Sequence, residues 1–128
     1  MDETGMGIKI ITGGVTAARG FKAASTAAGI KYKDRQDMAM IYSQEPCRSA
    51  GTFTTNIVKA APVKWDKNQV TSGAPARAVV INAGIANACT GEEGMGYCGQ
   101  TAEAAALALG ISAESVLVAS TGVIGMQL

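Results

Sequence analysis

The stretch Val116-Leu117-Val118-Ala119-Ser120-Thr121-Gly122-Val123-Ile124-Gly125 is the one around which the rest of the chain is organised. Its first four residues are apolar and suit a pleated, covered surface, which predicts a buried strand. The run breaks at Thr121-Gly122. Gly122 has no Cβ, so the backbone can turn there and another group can come close to its N–H. A hydroxyl and a bare N–H at a strand end make two donors able to face one oxygen, which is what an oxyanion site requires. A strand end followed by a turn is the plainer reading, and these residues alone favour it.

Upstream, Glu92 to Leu109 reads as a helix. Thr90 stands where an N-cap belongs, Glu92 and Glu93 occupy the first turn where the macrodipole favours anions, and Ala102 to Leu109 is strongly helix-forming. Gly110 is the expected terminator, and Ser112 to Ser115 supplies a capped turn that delivers the chain into Val116. Ala78-Val79-Val80-Ile81-Asn82-Ala83-Gly84 is the clearest core strand, its apolar residues consecutive as expected where both faces are covered. The segment after it, through Asn87, Cys89 and Gly91, is built of small residues. Asn82 and Asn87 are suited to holding a tight connection through backbone bonds.

The N-terminal half is read with less contrast. Gly7 to Thr12 predicts a short strand closed by Gly13-Gly14. Phe21 to Lys31 is rich in alanine, a helix former, yet its bracketing glycines suit a strand, and strand is the reading adopted. Met38 to Ser43 predicts another strand, stopped at Glu45-Pro46. Ala50 to Asn56 alternates Phe53 with threonines and predicts a further one. Pro62 marks a fresh segment, and Lys64 to Pro75 is either a short helix or a surface loop.

Composition sets the outer limits. The 128 residues suit one domain, but 48% hydrophobic content and sixteen glycines describe a chain more apolar and turn-rich than a free-standing small domain needs. A net charge of +1 and 5% aromatic residues leave no footprint for nucleic acid or an anionic membrane. No apolar run approaches the roughly eighteen residues of a membrane helix, and Met1-Asp2-Glu3-Thr4 has no leader character, so a cytoplasmic location is expected. Cys47, Cys89 and Cys98 form no CxxC pair and read as reduced, small hydrophobes, with no disulfide framework and no metal site. Histidine is absent, so neither a Ser-His-Asp triad nor a Cys-His pair can be assembled from this chain. Acyl chemistry here would need another base, such as an amine, or a group from another chain.

Gly94-Met95-Gly96-Tyr97-Cys98-Gly99 matches the G-x-G-x-x-G dinucleotide pattern. Its context is wrong, because Glu92-Glu93 and not a strand end precede it, and two carboxylates beside a pyrophosphate repel. A non-catalytic nucleotide-binding module is therefore the weakest of three functional readings.

Four segments together carry a more specific signal. They are Gly20-Phe21-Lys22-Ala23-Ala24 with Ala28-Gly29-Ile30-Lys31; Gly51-Thr52-Phe53-Thr54-Thr55-Asn56 with Lys59-Ala60-Ala61-Pro62-Val63; Ala78 to Gly84 running into Ala86-Asn87-Ala88-Cys89-Thr90-Gly91; and Ala119 to Gly125. In this order and spacing they resemble the N-terminal signature of the ornithine acetyltransferases, also called glutamate N-acetyltransferases, of arginine biosynthesis. The resemblance covers about residues 15 to 128.

That resemblance implies an α/β fold layered as an α/β/β/α sandwich of the self-processing N-terminal-nucleophile type, with residues 1–128 one domain completed by partner chains. It implies a precursor that cuts itself before a threonine, giving an α chain and a β chain that assemble as an α2β2 heterotetramer. The new N-terminal threonine of the β chain takes acetyl from N2-acetylornithine and passes it to glutamate. Its own amine serves as base, in agreement with the missing histidine. No cofactor is implied, although acetyl-CoA is a potential second acetyl donor. The matching Thr121 and Gly122 are implied to be the oxyanion hole, which reverses the plainer reading above. No nucleophile is expected within this chain.

Where the family commonly has Asn-Ser-Gly-Asn-Ala-Asn, this chain has Asn82-Ala83-Gly84-Ile85-Ala86-Asn87, so this loop is read as structural. The apolar finish Val123 to Leu128 leads us to expect an N-terminal piece of the α chain whose hydrophobic surface needs a cover. A related N-terminal-nucleophile aminopeptidase is the second functional reading.

Overall fold

The computed structural model describes residues 7–128; the leader reading of Met1 to Thr4 lies outside them. Four strands, β1 (Phe21–Thr26), β2 (Met38–Cys47), β3 (Ala76–Ile85) and β4 (Val116–Val123), form one mixed sheet in the order β1-β2-β3-β4. The first two junctions are antiparallel, while β3 and β4 run parallel. A parallel pair needs a long crossover, and α2 (Gly91–Leu109) provides it. The other helix, α1 (Ala61–Ser72), begins with Pro62 in its first turn, where a missing N–H costs nothing. It resolves the choice between helix and loop over much of 64–75.

Both helices cover one face of the sheet. Ala78 and Val80 of β3 and Val116 and Val118 of β4 pack with Ala61, Cys98, Ala102, Ala105 and Ala106 in the core, and Met38, Met40, Tyr42 and Trp65 close around them. The alanines on α2 let its backbone approach the strands closely. Helix α1 also covers the outer edge of β4: Trp65 Nε1 donates to Val116 O at 2.9 Å, and Val118 N donates to Asp66 Oδ1 at 2.9 Å. Gly110 ends α2 in the left-handed conformation at φ +66°, and its N–H returns to the Ala106 and Leu107 carbonyls. A single 3-10 turn over Ala113–Ser115 follows, with Ser112 Oγ accepting from Glu114 N at its start.

The opposite sheet face carries Phe21, Ala23, Ile41, Val79, Ile81, Leu117 and Ala119 by the two-residue alternation. No helix covers it among the described residues. The architecture is therefore α/β, a helix layer on a sheet layer, which is one half of a layered α/β/β/α arrangement. In β3 the consecutive apolar run thus divides into a buried set toward the helices and a half-buried set on the helix-free face.

Several sequence expectations are corrected. Gly7 to Thr12 forms no strand; Ile8, Ile10 and Ile11 are exposed, because β propensity needs a neighbouring strand and the four-stranded sheet is complete without this segment. Ala50 to Asn56 is also irregular, and Thr54 Oγ1 takes the Asn56 N–H at 3.2 Å, a local bond that competes with ladder pairing. Strand β2 does not stop at Glu45-Pro46 but continues to Cys47 through a register irregularity after Tyr42. Proline is tolerated at such a break. Arg77 bridges it, donating to Tyr42 Oη at 2.8 Å, to Ser43 O and to Gln44 O. Thr90 occupies the N-cap position of α2 without capping by its side chain; its hydroxyl donates instead to Asn87 Oδ1 at 2.6 Å. Gly94, Gly96 and Gly99 lie inside α2, so the G-x-G-x-x-G match is helix and not a phosphate-binding turn.

Candidate active site

Thr121 and Gly122 lie near the end of β4, opposite Ala83 and Gly84 of β3. Both are exposed. Thr121 shares the helix-free face with Leu117 and Ala119 by the strand alternation. Successive N–H groups along a strand point to opposite edges. Val118 N–H is turned away from β3 toward Asp66, whereas Val123 O accepts from Ala86 N at 2.8 Å on the β3 side. The alternation therefore assigns the Gly122 N–H to the outer edge of β4, in the row of the Val118 N–H.

Gly122 is a glycine by necessity. Its φ is +134°, and a Cβ there would lie 2.3 Å from both C and O of Gly84 and 2.7 Å from Ile85 N. Gly84 in turn has φ +108°, and a Cβ on it would lie 3.1 Å from Lys31 Cβ. Three backbone segments are thus stacked at the site: the β1–β2 hairpin loop, the end of β3 and the end of β4. Thr121 and Gly122 were legible as a pair in the sequence; Gly84, which backs Gly122, was not singled out. Its signal was a glycine ending a strongly apolar strand.

The connection after β3 holds the tip of β4 in place. Asn82 Nδ2 donates to Ile85 O at 2.7 Å, and Asn87 Nδ2 donates to Gly94 O at 2.7 Å. Asn87 N donates to Ser120 Oγ at 2.8 Å, and Gly125 N donates to Ala88 O at 2.9 Å. Gly94 is forced by this arrangement, since a Cβ would fall 1.9 Å from Thr90 Oγ1 and 2.5 Å from Asn87 Oδ1. Both asparagines therefore serve the connection.

On the other side, buried Asp37 receives the N–H groups of Ala28 on Oδ1 at 2.7 Å and of Ile30 on Oδ2 at 2.8 Å. These bonds, that of Ile30 foremost, hold its carboxyl below the usual carboxylate range. Asp66 is pushed the other way by burial, which outweighs the bond from Val118 N–H. Burial, with a contribution from the Asp66 charge, pushes the Cys98 thiol up to about 12. A thiol so held stays protonated near neutrality and is no nucleophile. Cys47 donates to Ser43 Oγ at 3.1 Å, and Cys89 is exposed. Among the described residues no group of three or more Cys, Asp or Glu side chains is placed to hold a metal, and no helix is long and apolar enough to cross a membrane.

Comparison with known proteins bears on the whole arrangement. Residues 22–128 match the model of the ArgJ family. The chain belongs to that family. Among ArgJ relatives, the arginine biosynthesis bifunctional protein ArgJ of Gloeobacter violaceus is 52% identical over 118 residues, covering 92% of this chain and 29% of the relative. That of Thermotoga neapolitana is 52% identical over 112 residues, covering 86% and 28%. The chain thus spans less than a third of the length of these ArgJ proteins. The crystal structure of the Mycobacterium tuberculosis ornithine acetyltransferase, a complex with ornithine, superposes with a TM-score of 0.85 at 48% identity, covering 90% of this chain and 62% of that one. The Bacillus halodurans ArgJ structure gives 0.85 at 39% identity, covering 91% and 60%.

Proposed function

We propose that this chain is the N-terminal part of the α chain of a glutamate N-acetyltransferase, one that moves acetyl from N2-acetyl-L-ornithine to L-glutamate in cytoplasmic arginine biosynthesis. Thr121 and Gly122 form its oxyanion hole. The nucleophile is the N-terminal threonine of a β chain cut from the same precursor, and the two chains pair as an α2β2 heterotetramer. In the first half-reaction the threonine Oγ attacks the acetyl carbonyl carbon and its proton passes to the threonine's own α-amine. The C–N bond then breaks, the amine returns the proton to ornithine, and an acetyl-threonine ester remains. Glutamate's amine attacks that ester in the second half and the hydroxyl is restored. In each half the carbonyl oxygen becomes an oxyanion, which the Thr121 hydroxyl and Gly122 N–H stabilise, each donor contributing about 3 to 4 kcal/mol. Acetyl-CoA is the second acetyl donor we would assay.

The observation that carries this reading is the exposed Thr121-Gly122 pair at the tip of β4, with the Gly122 N–H free of a side chain on the strand's outer edge. Membership of the ArgJ family and the ornithine complex of a 48% identical relative support the substrate class. The test is acetyl transfer from N-acetylornithine to glutamate by the full-length protein and its Thr121→Ala variant, followed by mass spectrometry. Normal turnover by the variant would remove the oxyanion assignment.

A further inference from the structure

Asp37 stands at a junction of the three segments stacked at the site. Its backbone N donates to Thr26 O at 3.2 Å, at the end of β1, and its backbone O accepts from Ala83 N at 2.8 Å, on β3 directly opposite Thr121. Its two carboxylate oxygens hold the N–H groups of Ala28 and Ile30. Lys31 follows immediately, and Lys31 Cβ lies against Gly84, whose backbone lies against Gly122. A single residue thus links the hairpin loop to the β3 backbone that sets the height of both oxyanion donors.

We propose that Asp37 is a positioning residue for the oxyanion pair: by clamping residues 28–30 it presses Lys31 onto Gly84 and fixes the plane against which Gly122 rests. The inference rests on the assignment of Thr121 and Gly122 to the oxyanion hole. Two features set Asp37 apart from an ordinary hairpin residue. Asp37 is 6% exposed although the loop residues before it, 27–36, are open to solvent apart from half-buried Ile30. It also lies at the site end of the sheet, outside the core formed by the helices with β3 and β4. Charge-assisted bonds from two N–H groups hold a loop more firmly than neutral ones. Loosening them shifts Gly84 and so the Gly122 N–H, and a displacement on the order of 1 Å costs about a hundredfold in rate.

The experiment places Asp37→Asn and Asp37→Ser in the full-length protein and measures kcat and KM for N-acetylornithine per mole of cleaved enzyme, with thermal melts alongside. The asparagine variant keeps the shape but turns an NH2 toward one of the two N–H donors; the serine variant keeps a single short acceptor. The expected result is a fall in kcat of about tenfold to a hundredfold with KM within about twofold. A kcat within twofold of the unmodified enzyme in either folded variant overturns the proposal, as does a change confined to KM. If both variants fail to fold, Asp37 is a folding residue and the positioning role is likewise refuted. Thr121→Ala, run in parallel, separates the two levels. Slow turnover there with unimpaired Asp37 variants removes only the Asp37 role, whereas normal turnover there removes the oxyanion reading itself.

Discussion

Replacing Gly122 by alanine is the sharpest perturbation the structure offers. The added Cβ would stand 2.3 Å from Gly84 C and O and 2.7 Å from Ile85 N, all of them backbone atoms that no rotamer change can move. Restoring ordinary contact requires β3 and β4 to separate by about 1 Å at this point. The residue must also hold φ +134° with a side chain, a conformation that costs a further 1 to 3 kcal/mol or so. In the oxyanion role proposed for Gly122, a displacement of that size lowers the rate about a hundredfold. Gly122→Ala in the full-length protein is therefore expected to lose about two orders of magnitude in kcat for acetyl transfer, with a melting temperature lower by several degrees. Steady-state kinetics and a thermal melt on the same preparation give both numbers. Wild-type kcat in a folded Gly122→Ala protein would refute the close approach of the two strands as the feature that sets the donor.

Further outcomes are expected. Thr121→Ala lowers kcat by about 10²- to 10³-fold while Thr121→Ser, which keeps the hydroxyl, retains most of it; single-turnover acetylation monitored by mass spectrometry distinguishes them. Trp65→Phe leaves Val116 O without its donor and costs about 1 to 3 kcal/mol in urea unfolding, with kcat unchanged. The raised Cys98 pKa means that folding favours the protonated thiol. Its contribution is full below the unfolded value near 9 and is lost as pH rises toward about 12, so unfolding midpoints of the wild type should fall relative to Cys98→Ala across that window. Under native conditions at pH 8 a thiol reagent should label exposed Cys89 and spare Cys98. Offering the full-length enzyme N-acetylornithine and a peptide amide side by side separates acetyltransferase from aminopeptidase, with acetyl transfer expected to dominate.

The sequence was most informative where a segment's structure is decided locally. The run Ala78 to Gly84, the helix from Glu92 to Leu109 with its Gly110 stop, and the strand from Val116 to Thr121 carry their own periodicity and punctuation, and all three formed. Gly7 to Thr12 and Ala50 to Asn56 have strand chemistry but join no strand of the sheet, and pairing is not written in the segment that would be paired. Pro46 was read as a stop because the rescue comes from Arg77, about thirty residues further on, whose guanidinium serves the carbonyls the irregularity leaves open. The same limit applies at the site. Thr121-Gly122 could be marked as a donor pair from two adjacent letters. That Gly84 lies beneath Gly122 depends on the parallel register of β3 and β4, and the role proposed for Asp37 depends on how a hairpin loop folds back. Neither is local.

Trp65 and Asp66 leave β4 with an asymmetric border. The outward Val116 carbonyl and Val118 N–H are already engaged by α1, which hinders a stray strand from pairing with that part. Beyond Val118 the helix contributes no such bond among the described residues, and the margin ends at Gly122. Edge-to-edge pairing is thereby hindered along the first half of the outermost strand, and the α1 cover stops short of Thr121 and Gly122.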